Sequence, residues 1–138
     1  AQRLARQIDQ LHAESGAEQI DLVAHGSGGL VAAWYARHLD EHGRIRRLVT
    51  LGTPWKGTRM SIFRKGPLQE ETRHGSPTLD DLVPAVPTIS IWSPDDPTVI
   101  PTSSALPDGV QSVEIEFAGH AELLMSARAF RAVQAALT

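Results

Sequence analysis

No cysteine occurs among the 138 residues of this chain. Disulfides, thiolate catalysis and zinc held by thiolates are therefore excluded. No cluster of basic residues appears, and the formal net charge is -3 at pH 7. Neither feature gives an electrostatic reason to bind nucleic acid. No apolar run approaches the roughly 20 residues that span a bilayer, so no transmembrane helix is expected. Internal repeats and low-complexity linkers are absent as well.

What is present is the composition of an ordinary globular domain, with 41% apolar and 21% charged residues. The length predicts a single domain over residues 1–138. Leu4, Ile8 and Leu11 recur at helical spacing, with Gly16 as the stop. "QIDLVAH" reads as a strand. A second helix is predicted from about Gly28 to His42, with Leu30, Val31, Trp34 and Leu39 as its apolar stripe and Gly43 as its cap. "IRRLVTLGTP" reads as a strand stopped by Pro54. "SPTLDDLV" reads as a short helix with Ser76 as N-cap and Pro77 in its first turn. "VPTISIWS" and "VQSVEIEF" complete the strands, and a last helix is predicted from about Ala121 to Leu137.

Strands separated by helices argue for parallel βαβ units in a three-layer α/β/α arrangement. About four strands are expected, in a mostly parallel sheet. The first three are nearly continuous apolar runs, as in strands covered on both faces. The fourth alternates, with Val113, Ile115 and Phe117 against Glu114 and Glu116, and suits a sheet edge with one wet face. Ligands of such sheets gather beyond the carboxyl ends of the strands. The turns at residues 24–29, 52–57, 94–101 and 118–121 would meet there.

Five segments then carry a resemblance. "DLVAHGSGGLVA", "RRLVTLGTPWKGT", "HGSPTLDDL", "SPDDPTVIP" and "FAGHAELL" follow one another on the expected elements. In that order the chain resembles the α/β-hydrolase family, and within it bacterial lipases and esterases. The resemblance implies a hydrolytic triad in the chain order serine, acid, histidine. In such a triad a histidine takes the proton of a serine hydroxyl, and a carboxylate holds the imidazole in the right tautomer. Asp95 and Asp96 both suit the acid turn. The family spacing of serine, two residues, aspartate, two residues, valine is met by Ser93, Asp96 and Val99, which selects Asp96. The bland alternative is that both aspartates only cap a proline turn. His120 matches the family histidine, and His25 matches the residue before the nucleophile. His12, His38 and His42 fall on predicted helices and His74 in a loop. No histidine pair has metal-ligand spacing beside a carboxylate, so no metal is proposed, and the resemblance implies no cofactor.

The nucleophile is where the sequence departs from the family. The elbow pattern needs small residues two before and two after the nucleophile. Centring it on position 26 gives Ala24 and Gly28, but the residue there is Gly26, and the serine is lost. Centring it on Ser27 puts bulky His25 where space is needed and turns the helix start by roughly 100°. We therefore read Gly26 as the nucleophile position and Ser27 as the backbone donor of an oxyanion hole. The alternative keeps Ser27 as a displaced nucleophile.

The resemblance also implies that strands normally preceding "QIDLVAH" are missing from this domain. That strand, residues 19–25, would then be an open apolar edge, covered by another copy in a homo-oligomer or by a second polypeptide. Two functions from different classes follow. One is a lipase- or esterase-like hydrolase domain, inactive as it stands, whose relatives cleave esters of acyl chains. The other is a non-catalytic interaction domain that pairs through its sheet edge. Trp55 is a candidate for lining an acyl pocket or for anchoring a lid. The connection 55–85 is too short for a large lid domain and implies an open site.

Overall fold

A computed structural model describes residues 1–138 except 64, 65, 67 and 81. Helix α1 (Gln2–Ser15) ends at Gly16, whose φ of 70° is the left-handed value that glycine takes without penalty. Strand β1 (Ile20–His25) leads through Gly26 into helix α2 (Ser27–His38). Strand β2 (Ile45–Leu51) follows, then two short helical turns, α3 (Leu68–Glu71) and α4 (Pro77–Asp80). Strand β3 (Thr88–Trp92), strand β4 (Gln111–Glu114) and helix α5 (Ala127–Leu137) complete the chain. The four strands lie in the order β1-β2-β3-β4, and every pair is parallel. The fold is α/β, with helices on both faces.

Period-two alternation along β2 decides which residue serves which layer. Val49 and Leu51 turn to one face, where they pack with Ile91, Leu123, Ala129 and Ala136 under α5. Leu48 turns to the other, where it packs with Leu30, Ala33, Trp55 and Leu79 under α2 and the connection after β2. Ile8 of α1 joins Tyr35 and Ile45 at the lower end of that layer. Burial of the Tyr35 phenol pushes its pKa up, with the Asp40 carboxylate adding to the effect.

Five sequence expectations need correction. Helix α2 stops at His38, not near His42. The Asp40 carboxylate accepts the backbone N–H groups of Arg44 and Ile45, both at 2.9 Å, and so builds a turn that competes with the helix. Gly43, with φ 61°, lies in that turn and does not cap the helix. The α2 stripe also differs, because Trp34 and Leu39 are exposed while Gly29, Ala32 and Tyr35 are buried. In β4 the alternation fails at Phe117, which is 81% exposed. Its φ of 57° turns the chain away, and its N–H donates to the Asp95 carboxylate at 2.7 Å. The last helix is broken: a short turn at Glu122–Leu124 precedes α5, whose N-cap Ser126 accepts from the N–H groups of Arg128 and Ala129. Asp81 of the expected helix "SPTLDDLV" lies outside the described residues, as do positions 64, 65 and 67 of the 55–85 connection.

Candidate active site

Three turns meet at the carboxyl end of the sheet. The first is the tight turn from β1 into α2. Gly26 has φ 55° and ψ −134°, a combination that side chains make costly. Its N–H donates to the Leu51 carbonyl at 2.9 Å, which moors the turn to the end of β2. Its carbonyl accepts from the Thr53 hydroxyl at 2.8 Å and from the Gly29 N–H at 3.1 Å.

The second turn follows β3 and presents Asp96, which is only 3% exposed. Asp96 Oδ1 accepts from the Thr98 N–H at 2.8 Å, while the Ser93 hydroxyl accepts from the Asp95 N–H at 3.1 Å. The first bond fixes the carboxylate, and the second fixes the turn that carries it. Asp96 Oδ2 lies 2.7 Å from His120 Nδ1. A carboxylate only accepts, so Nδ1 carries the proton and Nε2 is left as the acceptor in the neutral ring.

The third turn follows β4 and carries His120. His25 Nε2–H donates to the His120 carbonyl at 2.8 Å, and the two rings sit 4.3 Å apart at 46°. Asp95, through its bond to the Phe117 N–H, ties this turn to the acid turn. Gly52, with φ 55°, gives both groups clearance. A Cβ there would stand 3.0 Å from Asp96 Oδ2 and 3.1 Å from His120 Nδ1.

The structure thus brings Asp96, His120 and Gly26 together. His120 Nε2 faces Gly26 at 2.9 Å from the place a Cβ would occupy. Ser27 opens α2 and lines a cavity of about 360 Å³ with Leu30, Val31, Trp34, Leu79 and Leu82. Trp55 is 2% exposed in the core layer and lines a neighbouring cavity of about 330 Å³ with Lys56, His74 and Leu82, the last of which also lines the cavity beside Ser27. The remaining histidines lie apart: His12 bonds the Ala17 carbonyl, His38 packs against Trp34 with the rings tilted at 40°, His42 is exposed in the turn after α2 and not on the helix, and His74 bonds Ser104. Among the described residues, no group of three His, Cys, Asp or Glu is placed to hold a metal ion. Sequence reasoning missed Thr53, fully buried with its hydroxyl on the Gly26 carbonyl. Its place in "LGTP", beside the elbow in a parallel sheet, was the available signal.

No family model matches the chain. Solved structures do resemble it. Bacillus licheniformis lipase BlEst2 in its mature form superposes with a TM-score of 0.82 at 14% identity, over 98% of this chain and 71% of that one. The lin2722 gene product of Listeria innocua gives 0.68 at 22% identity, over 97% and 63%. MGS-MChE2, an α/β-hydrolase enzyme from the sediment metagenome of the Mar Chica lagoon, gives 0.61 at 17%, over 95% and 66%. The chain therefore spans about two thirds of the length of these three structures. Over that span it has the α/β-hydrolase fold.

Proposed function

We propose that this chain is a lipase- or esterase-type hydrolase domain for carboxylic esters of acyl chains, with its nucleophile position filled by glycine. In this reading Asp96 orients His120, and His120 is the base. The chain binds such molecules and by itself turns them over little or not at all. The observation that carries it is the approach of His120 Nε2 to Gly26, with Nδ1 held by the buried Asp96 carboxylate. A tautomer fixed in this way serves proton transfer at Nε2, and Gly26, which Nε2 faces, has no hydroxyl.

A serine at position 26 would complete the sequence of steps. His120 Nε2 would take the hydroxyl proton while Oγ attacks the carbonyl carbon. The Ser27 N–H would hold the resulting oxyanion, and the proton would pass to the departing alkoxide. Water would then release the acyl group by the same path. Without that oxygen the first bond cannot form, and only binding and oxyanion contributions remain. The mostly apolar cavity beside Ser27 supports an acyl chain as occupant.

A second reading is favoured by the sheet: among the described residues β1 pairs with β2 alone, and its other edge is unpaired within the sheet. Here the domain works as an interaction module that joins another copy or another polypeptide along β1.

Hydrolysis of p-nitrophenyl acetate and butyrate by the chain and by Gly26→Ser separates the readings. The expected result is no turnover above buffer for the chain, and turnover with covalent labelling by a fluorophosphonate for Gly26→Ser. Robust turnover by the unmodified chain that Ser27→Ala abolishes would overturn it in favour of Ser27 as nucleophile. A folded Gly26→Ser that stays silent would leave the interaction reading.

A further inference from the structure

We infer that Thr53 is a positioning residue that aims the Ser27 N–H through the Gly26–Ser27 peptide. The inference rests on the reading of that N–H as the oxyanion donor. The Gly26 carbonyl and the Ser27 N–H belong to one planar trans peptide unit, so they point in opposite directions and turn together. The Thr53 hydroxyl donates to the Gly26 oxygen at 2.8 Å, and the Gly29 N–H donates to the same oxygen at 3.1 Å. Both acceptor sites of that carbonyl are thereby used, and the plane cannot rotate without breaking two bonds.

The fixation matters most at this peptide. Glycine at position 26 has a wide range of backbone angles open to it, so the turn's own conformational preference does little to hold the plane. The bond also polarises the peptide. A carbonyl that accepts a hydrogen bond makes the N–H on the same unit a stronger donor.

Thr53 is itself held without slack. It is fully buried two residues beyond the end of β2, and α2 lies against it so closely that a Cβ on Gly29 would stand 2.1 Å from its hydroxyl and 2.7 Å from its methyl. Gly29 is the residue that lets the hydroxyl reach Gly26. Thr53 and Gly29 thus work as a pair: one supplies the bond and the other the room for it.

The test uses Thr53→Val, which keeps the shape and removes the hydroxyl, and Thr53→Ser, which keeps the hydroxyl. In the chain as it stands, the Ser27 amide nitrogen resonance is expected to shift in Thr53→Val and to return toward its original position in Thr53→Ser. In a Gly26→Ser background, Thr53→Val is expected to lower kcat per phosphonate-labelled site about tenfold with KM little changed, less than the 10²–10³ lost when a donor is removed outright. Thr53→Ser should restore most of that rate. An unmoved Ser27 resonance in folded Thr53→Val, or equal kcat losses in both Thr53 variants, would overturn the inference. If Thr53→Val does not fold, Gly29→Ala displaces the same hydroxyl sterically and must move the Ser27 resonance. Should Gly26→Ser be folded yet silent, the hydrolase reading falls by itself, and the Ser27 resonance alone decides whether Thr53 sets that peptide plane.

Discussion

His120 Nε2 stands 2.9 Å from where a Cβ on Gly26 would be, closer than side-chain atoms pack. The imidazole has closed into space that any residue other than glycine would need. Two costs then meet in Gly26→Ala: a side chain at φ 55°, and displacement of a ring tethered by Asp96 and stacked near His25. The expected loss is about 1–3 kcal/mol of unfolding free energy, read as a lower urea midpoint at unchanged slope. Gly26→Ser should lose less, because its hydroxyl can donate to Nε2 once the ring retreats. Equal or higher stability for Gly26→Ala would mean that the turn carries no such constraint.

The neighbouring glycines make a sharper comparison. Both Gly28 and Gly29 sit in the first turn of α2, where exchange for alanine is intrinsically favourable by roughly 0.5–1 kcal/mol. Nothing lies within 4 Å of a Cβ on Gly28, so Gly28→Ala is expected to gain that amount. A Cβ on Gly29 meets three Thr53 atoms at 2.1, 2.7 and 2.9 Å. Thr53 is fully buried, so displacing it costs overpacking, about 1–3 kcal/mol, which outweighs the gain. Denaturation midpoints of the two variants should move in opposite directions. A shared increase would show that Thr53 yields.

The contrast between those glycines also shows what was legible in the chain and what was not. Element order and the parallel sheet were readable from apolar runs and glycine stops, because these are local patterns that both faces of the sheet impose. Gly16 ends α1 where the periodicity predicts. The errors came from side chains that satisfy backbone groups out of pattern. Asp40 ended α2 early, Ser126 restarted the last helix, and Asp95 held Phe117 out of β4. Ser126 could have been read as an N-cap. Asp95 could not, since its partner lies 22 residues away. At the site, the approach of Asp96, His120 and Gly26 follows from which turns share an end of the sheet. For Thr53 the "LGTP" turn placed the residue near the elbow, but its bond to Gly26, across 27 residues, depends on the register of β1 against β2.

Strand β1 supplies the last prediction. Parallel strands are rarely left with a bare edge, and natural edges are blunted by charge, proline or bulges. β1 has one charged side chain of fixed sign, Asp21, and it is already engaged: Arg46 on β2 donates to it from Nε at 2.9 Å and from Nη2 at 2.5 Å. That pairing holds the Asp21 carboxyl below the usual carboxylate range and spends its charge inside the sheet. Val23, at the middle of the strand, is 49% exposed, and a groove of about 340 Å³ runs beside it between α1 and α2. An edge of this kind is a template for another strand. The chain alone is therefore expected to associate as its concentration rises, and Val23→Lys, which places an unpaired charge at the centre of the edge, should reduce that association. Sedimentation velocity over a concentration series reads both. A folded chain that sediments as a monomer at every concentration would refute self-pairing and leave a different polypeptide as the partner to seek.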